Sequence, residues 1–372
     1  MHIKEIQLIG FRNYLEAKLN FTDFKTIIIG KNGQGKSNLL EVIQILSHLK
    51  SRRSGRDSEL VNFQFNEAFI KVLASNSDEI GLLIRKNGRR TLKINEINHK
   101  PKELLHHIYS VSFMVDDLDI INGSPSVRRD WLDSVIIQVE KTYAPIWDKF
   151  DEILNQRNSF LKDLAEKNIF HTSALNPSLK EQLKIWDDMF VTYANNLSSA
   201  RKKYIEDINP LVNDFYQKIS SANSSQTTQT KLELFYTGKI ISAEDLELSY
   251  AKDLARSCTN VGPHRDDIII ELNQKPAGSF ASQGERRSAV LAIKLAELEQ
   301  LKSSINQYPI LLLDDVLAEL DEDRQDFLLG AIPESAQVII TTTHLGKHLE
   351  KWSANAQIIE VDRGMIKEFN NA

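Results

Sequence analysis

The sequence has only one cysteine, Cys258, in 372 residues. This excludes a framework of intramolecular disulfides and is typical of proteins of a reducing cytosol. No uncharged apolar run reaches about 18 residues, so no membrane-spanning helix is expected. The opening residues, Met1 to Glu5, lack the pattern of a signal peptide, and we expect a cytoplasmic protein. Positive charge is not in excess, since 46 Lys and Arg face 51 Asp and Glu. This balance argues against coating nucleic acid by bulk charge but allows a local basic patch.

Hydrophobic residues make up 41% of the chain and charged residues 26%, which is typical of a globular protein with a full core. The short apolar segments 3–9 and 26–29 predict strands, and an amphipathic helix is expected from Ser37. Later apolar segments, at 310–313 and 338–341, alternate with helical patterns. Such alternation indicates a parallel sheet covered by helices on both faces.

The middle of the chain has a different pattern. Leucine, lysine and acidic residues recur at helical spacing over 127–166 and 179–219, and the polar segment 220–230 predicts a loop. We therefore expect a discontinuous α/β domain formed by residues 1–115 plus 256–372. A mainly helical lobe, residues 116–255, would be inserted into it, with boundaries good to about 15 residues.

Residues 30–37, Gly-Lys-Asn-Gly-Gln-Gly-Lys-Ser, match the phosphate-loop pattern G-x-x-x-x-G-K-[ST] in full. The predicted buried strand precedes it and the predicted helix follows it. Glycines let the backbone fold around an anion, while amide hydrogens at the helix N-terminus point at it. We expect Lys36 to reach the β- and γ-phosphates of a nucleotide and the Ser37 hydroxyl to ligate Mg²⁺.

A second apolar strand ends in two acids, Asp314 and Asp315. A buried strand would bring Asp314 to the carboxyl edge of the sheet, where we expect it to hold Mg²⁺ directly or through water. Because side chains alternate along a strand, we expect Asp315 to point elsewhere and to position or deprotonate the attacking water.

The string Ser282-Gln283-Gly284-Glu285 predicts the start of a helix, with Ser282 as N-cap and Glu285 completing a capping box. In the plain interpretation Ser282 only caps the helix. In the functional interpretation the same helix end closes on the γ-phosphate of a nucleotide bound to a second subunit.

Several strings together resemble one protein family. Ser282 to Glu285, the strand ending Asp314-Asp315 and the segments 317–321 and 341–344 are similar to the ABC-type ATPase heads of SMC-like proteins. Within that group the chain resembles the RecF family of bacterial recombination mediators. The supporting strings are GFRNY (10–14), GKNGQGKSNLLE (30–41), the segment 123–133, QRN (156–158), GPHRDD (262–267) and LLLDDVLAELD (311–321). After Phe113 the chain departs from the family, because Met114-Val115-Asp116-Asp117 replaces a segment that commonly has Pro-Glu-Asp.

The resemblance implies an α/β ABC-type P-loop ATPase head, a mixed sheet flanked by helices, with an inserted α-helical lobe. It implies ATP and Mg²⁺ as cofactors and a homodimer that sandwiches two nucleotides. Lys36, Asp314, Asp315 and His344 would be the catalytic residues, with His344 at the switch position. Residues implied to bind ATP in the same chain are Arg12, Asn13, Gly30, Lys31, Asn32, Gly33, Gln34, Gly35, Lys36, Ser37 and Asn38. Those implied to contact the partner subunit's nucleotide are Ser282, Gln283, Gly284 and Asp321.

The family's role implies ATP-dependent binding of single- and double-stranded DNA in recombinational repair and replication-fork maintenance. It further implies loading of the RecA recombinase at gaps, a RecR-like mediator partner, and slow ATP hydrolysis that drives release. No motif for base-specific contact is present, so DNA contacts would go to phosphates. The basic cluster that we favour for them is Lys50, Arg52, Arg53 and Arg56.

Other function classes share parts of this pattern. A small-molecule P-loop kinase has the phosphate loop and the acidic strand, but it does not explain the Ser282 helix or Asp321. An ABC-type nucleotide-gated ATPase that does not act on DNA, such as a transporter's nucleotide-binding subunit, is a second alternative. A nucleotide-gated scaffold that does not hydrolyse ATP is a third. The GPHRDD string and the helical lobe argue against the transporter subunit.

Overall fold

The structure, a computed structural model, describes residues 2–369 except 23, 76, 223–229, 347–348 and 350–351. The chain divides into two compact units. Unit 1 comprises residues 1–118, 214–230 and 282–372, and unit 2 comprises residues 119–213 and 231–281.

The strands and helices alternate along much of unit 1, while long helices dominate unit 2. No helix in the described part of the chain is long and apolar enough to cross a membrane. The strands are β1 (Ile3–Phe11), β2 (Tyr14–Asn20), β3 (Lys25–Ile29), β4 (Glu67–Ala74), β5 (Glu79–Arg85), β6 (Arg90–Ile94), β7 (Ile97–His99), β8 (Ser110–Met114), β9 (Leu232–Tyr236), β10 (Ile268–Leu272), β11 (Lys275–Pro276), β12 (Ile310–Asp314), β13 (Val338–Thr342), β14 (Gln357–Asp362) and β15 (Met365–Phe369). The helices are α1 (Lys36–His48), α2 (Asp119–Asn122), α3 (Pro125–Val139), α4 (Tyr143–Glu166), α5 (Pro177–Ala222), α6 (Ala243–Arg256), α7 (Ala277–Phe280), α8 (Gln283–Ile305) and α9 (Glu322–Ala331).

Unit 1 contains an antiparallel sheet in the order β2-β1-β4-β5-β6-β7. In β4 and β5 buried residues alternate with partly exposed ones, so one face of these strands packs on the core. The core here joins residues of β1, β4 and β5 to the apolar side of α1, including Leu39, Val42, Ile43 and Leu46.

A second sheet of unit 1 has the order β15-β14-β3-β13-β12-β8, and its strands are parallel apart from β15. Its inner strands β12 and β13 are buried along almost their whole length, as expected of a sheet covered on both faces. The register places Asp314 beside Thr341, and Thr342 beside Ile29. The carboxyl ends of β3, β13 and β12 therefore meet at one edge, where the segment after β3 begins. This is the ABC-type mixed sheet flanked by helices that the resemblance implied.

Unit 2 is held together by buried ion pairs as well as by apolar packing. Arg157 of α4 is fully buried and donates to Asp187 and Asp253, at 2.8 Å each. Arg201 of α5 pairs with Asp133 at 2.8 Å, and Arg128 pairs with Asp267 at 2.6 Å. The QRN and GPHRDD strings therefore supply residues that organise this unit internally.

Three segments differ from the sequence expectation. Residues 214–222, which we expected in the helical lobe, lie in unit 1. Helix α5 continues to Ala222, past the start of the expected loop, and residues 223–229 of that loop lie outside the described residues. The segment 256–281, which we assigned to the α/β domain, lies in unit 2. The reason is strand pairing, because β10 pairs with β9 over its whole length.

Candidate nucleotide site

The phosphate loop spans Gly30 to Gly35, between the end of β3 and the start of α1. At Gly30 a Cβ atom would collide with the carbonyl oxygen of Val361. At Gly35 φ is +118°, and a Cβ would lie 2.6 Å from Nδ2 of Asn13. Glycine is thus required at both positions, by close approach at one and by left-handed backbone plus close approach at the other.

Lys36, the first residue of α1, extends its side chain back across this loop. Its side chain is only 4% exposed, and Nζ donates to the carbonyl oxygens of Gly30 at 2.8 Å and Lys31 at 3.3 Å. Nζ also lies 3.9 Å from Oδ2 of Asp315. The ammonium group is therefore held across the loop, where it is placed to meet an anion that the backbone amides surround.

Ser37 and Asp314 lie together, as a shared magnesium site requires. Ser37 Oγ donates to Asp314 Oδ1 at 2.8 Å, and Thr341 Oγ1 donates to the same oxygen at 2.6 Å. A hydroxyl and a carboxylate oxygen at this separation fit a hard cation that keeps water and phosphate oxygens as its other ligands. The sequence patterns predicted no role for Thr341. Its contact with Asp314 follows from the register between β12 and β13.

The direction of Asp315 differs from what strand alternation predicts. The strand β12 ends at Asp314, and Asp315 has φ of 52°, in the left-handed region. Its amide donates to Thr341 Oγ1 at 3.1 Å, and its carboxylate faces Lys36. A backbone turn, and not the pleat, therefore directs this side chain. Burial raises the pKa of Asp315, Lys36 opposes that rise, and the neighbouring Asp314 adds to it.

The turn between β1 and β2 supports the phosphate loop. Asn13 Nδ2 donates to the carbonyl oxygen of Gln34 at 2.7 Å, and Asn38 Nδ2 donates to Asn13 Oδ1 at 2.8 Å. Arg12 forms a two-pronged pair with Glu41, with contacts of 2.8 and 2.5 Å. Asn13 thus acts on the loop directly, whereas the guanidinium group of Arg12 is held by Glu41 beside it.

A cleft of about 950 Å³ opens next to the loop. Its walls include Arg12, Asn13, Asn38, Arg53 and Arg363. The wall also includes the apolar side chains of Leu15, Val61 and Phe63. A cleft of this volume, with apolar residues beside arginines, suits the sugar and base of a nucleotide whose phosphates lie in the loop.

Sequence reasoning missed the contribution of the β14–β15 hairpin to this site. The amides of Arg363 and Gly364 donate to Gln34, to its side-chain and main-chain oxygens, at 2.7 and 3.0 Å. The residues are 329 positions apart in the chain, and no local pattern signals such a contact.

The residues expected to act on a partner's nucleotide lie elsewhere in unit 1. Ser282 caps α8: its Oγ accepts from the Glu285 amide at 3.3 Å, and its own amide donates to Glu285 Oε2 at 2.7 Å. The predicted capping box is therefore confirmed. Gln283 and Gly284 form the first turn, and Asp321 caps α9.

His344 follows β13 and is exposed. Its Nδ1 lies 2.9 Å from Thr343 Oγ1, and its carbonyl oxygen accepts from Thr342 Oγ1 at 2.9 Å. These contacts fix the direction of the chain at the end of the central strand.

The four basic residues favoured for DNA lie in different environments. Arg52 donates to the buried carboxylate of Asp117 at 2.7 Å, so this guanidinium has a partner inside the chain. Arg53 donates to Asn38 Oδ1 at 3.2 Å and lines the cleft. Lys50 and Arg56 are exposed.

Comparison with known proteins identifies the family. The model for the RecF/RecN/SMC N terminal domain matches residues 2–367. The DNA replication and repair protein RecF of Cyanothece sp. is 39% identical over 100% of this chain and 99% of that protein. This chain belongs to the RecF family. The RecF protein of Synechocystis sp. is 38% identical over 99% of this chain and 98% of its own length.

Solved structures give the same family. A structure described as the recombination mediator protein RecF with ATP in the RecFOR pathway has a TM-score of 0.87 and 30% identity, covering 99% of this chain and 98% of that chain. The Smc head domain from Pyrococcus furiosus has a TM-score of 0.53 at 18% identity, covering 99% of this chain and 96% of that chain. This second likeness concerns the fold alone.

Proposed function

We propose that this protein is an ATP-dependent, RecF-type mediator of recombinational DNA repair and replication. The observation that carries the proposal is the presence of two complementary half-sites in one chain. One half is the phosphate loop with Lys36, Ser37 and Asp314. The other is the capped end of α8 with Asp321. RecF-family relatives named for DNA replication and repair, and one described with ATP, support it.

ATP would bind with its phosphates in the loop and its sugar and base in the cleft. Lys36 would contact the β- and γ-phosphates, and Asn13 would keep the loop in shape through Gln34. Ser37 and Asp314 would hold Mg²⁺, which offsets triphosphate charge and orients the γ-phosphate.

Asp315 is our candidate for the general base in hydrolysis. Its raised pKa makes it a better proton acceptor than an ordinary surface aspartate. As the proton moves from water to Asp315, Lys36 would stabilise the negative charge that develops on the γ-phosphate oxygens. Because an aspartate is one methylene shorter than the glutamate of most SMC proteins, we expect hydrolysis to be slow.

Dimerisation would join the half-sites. The N-terminal turn of α8 has amide groups and a positive helix end suited to a γ-phosphate. Two copies related by a two-fold axis would each present Ser282, Gln283, Gly284 and Asp321 to the other copy's nucleotide. Hydrolysis removes the phosphate that these groups bind, and each lost charge-assisted hydrogen bond is worth about 1.5–3 kcal/mol.

DNA would bind to the ATP-bound dimer in the cytoplasm. We expect both single- and double-stranded DNA as ligands, contacted through phosphates, with exposed Lys50 and Arg56 among the contacts. In the proposed role the protein also binds a RecR-like mediator and helps to load the RecA recombinase at gaps.

DNA binding with and without ATP tests this function. Fluorescence anisotropy of a labelled gapped duplex should rise with protein when ATP and Mg²⁺ are present, and much less without ATP. Lys36→Ala should lose the ATP-dependent part, while Asp315→Asn should keep it and slow release. Equal DNA affinity with and without ATP, unchanged in Lys36→Ala, would contradict the proposal. Bound ATP with no measurable turnover in the wild type would instead favour a scaffold that does not hydrolyse ATP.

A further inference from the structure

Arg324, in the first turn of α9, connects Asp321 to the N-terminal turn of α8. Its Nε donates to Ser288 Oγ of α8 at 2.8 Å, and its Nη2 donates to the carbonyl oxygen of Gly284 at 3.2 Å. Its Nη1 forms an ion pair with the carboxylate of Asp321. One guanidinium group therefore contacts both Asp321 and the start of α8.

The burial of this group fits a connecting role. The Arg324 side chain is 15% exposed, whereas the Asp321 side chain is 52% exposed. A Cβ at Gly284 would lie 3.4 Å from Arg324 Nη2, so this side chain packs against the helix turn at that glycine. The planar guanidinium suits several fixed hydrogen bonds at once, which a lysine ammonium does not reproduce.

A second ion pair joins the same segments. Arg287 of α8 contacts Glu319 at 2.5 Å, at the end of the short 3-10 helix that precedes Asp321. Asp321 and Glu319, beside the N-terminal turn of α8, thus each have an arginine partner. Without such partners, their negative charge would oppose an incoming triphosphate.

We propose that Arg324 is a positioning residue that fixes Asp321 and the N-terminal turn of α8 as one surface for the partner subunit's nucleotide. The inference rests on the proposed function and extends it. Arg324 acts through Asp321 and Gly284 and is outside the set of residues that bind ATP in its own chain. Without Arg324 the phosphate loop stays intact. Asp321 and the first turn of α8 are then no longer held together, and the surface offered to the partner becomes more negative.

Variants at this position test the proposal. Arg324→Gln removes the positive charge, and Arg324→Lys retains the charge without the planar guanidinium group. Arg89→Gln, at an exposed hairpin turn, is the matched control. We expect Arg324→Gln to bind a fluorescent ATP analogue with unchanged affinity as a monomer. Its ATP-dependent dimer, followed by light scattering across protein concentrations, should weaken by about tenfold or more. Arg324→Lys should fall between, and Arg89→Gln should match the wild type.

A mixing experiment separates positioning from a general loss of stability. Lys36→Ala lacks the site in its own chain but keeps the partner-facing surface, while Arg324→Gln has the reverse defect. A mixed dimer contains one composite site with neither defect. Mixing should therefore restore ATP-dependent dimers and part of the ATP turnover that each variant lacks alone.

Three results would overturn the inference: wild-type dimerisation by Arg324→Gln, weakened ATP binding by the Arg324→Gln monomer, or no recovery on mixing. A wild-type protein that itself fails to dimerise with ATP would instead contradict the proposed function, so the two failures are distinguishable.

Discussion

Gly35 shows how a single atom limits what the phosphate loop tolerates. Gly35→Ala adds a Cβ that would lie 2.6 Å from Asn13, at a φ of +118°. We expect the loop to distort and ATP affinity to fall by at least about tenfold, equivalent to about 1.4 kcal/mol. Titration with a fluorescent ATP analogue measures the change.

Gly55→Ala is the control for this prediction, because a Cβ at Gly55 meets no atom within 4 Å. It should bind the analogue as the wild type does. If Gly35→Ala also binds the analogue normally, the loop does not need glycine at this position. The assignment of residues 30–35 as the phosphate-binding loop would then be wrong.

His264 in unit 2 is a partly buried group whose charge state makes stability depend on pH. Burial lowers its pKa from 6.5 to about 4, while its hydrogen bond with the Thr259 carbonyl opposes the shift. A folded-state pKa below the unfolded value stabilises the protein above about pH 6.5, and the stability is lost as pH falls toward 4. The free energy of unfolding should therefore drop by about 2 kcal/mol between pH 7 and pH 5 from this residue.

Urea unfolding of wild type and His264→Gln at the two pH values measures this contribution. The variant should be less stable at pH 7 but should lose less stability on acidification. An identical pH dependence in both proteins would contradict the prediction, because it would show that His264 takes up its proton as readily in the folded state as in the unfolded chain.

At the scale of elements, Arg157 ties together three helices of unit 2. It donates from α4 to Asp187 of α5 and Asp253 of α6, and Tyr250 donates to Asp187 as well. Arg157→Met would leave two buried carboxylates without their cation, which costs about 3–5 kcal/mol. We expect a large drop in thermal stability, measured by calorimetry.

The comparison is an exposed ion pair on α5. Lys202 lies 3.9 Å from Glu206, with both side chains about 65% exposed. Lys202→Met should change stability by less than about 1 kcal/mol. Equal effects of the two substitutions would mean that the Arg157 pairs do not organise the unit.

Sequence patterns predicted the elements around the site better than its long-range contacts. The adjacency of Ser37 and Asp314 follows from a rule, since parallel strands bring their carboxyl ends to one edge. The Gln34 contacts of Arg363 and Gly364 follow from no rule, because they depend on where the last hairpin packs. Asp315 does not follow strand alternation, because β12 ends at Asp314 and the backbone of Asp315 is in the left-handed region.

At the scale of the whole molecule, each unit is formed from separate segments of the chain, but residues 214–222 and 256–281 do not lie in the unit in which we expected them. Residues 256–281 lie in unit 2 because β10 completes a small sheet with β9, and local composition does not reveal such a partner. Local composition also does not reveal which basic residues have partners inside the chain. Arg52 and Arg201 resemble surface charge in the sequence, yet each pairs with an aspartate of low exposure.

The proposed function requires that one nucleotide be bound between two copies of this chain. Light scattering of the purified protein, alone and with saturating ATP and Mg²⁺, measures this most directly. We predict a shift from monomer to dimer mass with ATP, and none for Ser282→Arg, which should still bind ATP. A mass that stays monomeric with ATP bound, or ATP-induced dimers of Ser282→Arg, would contradict the account.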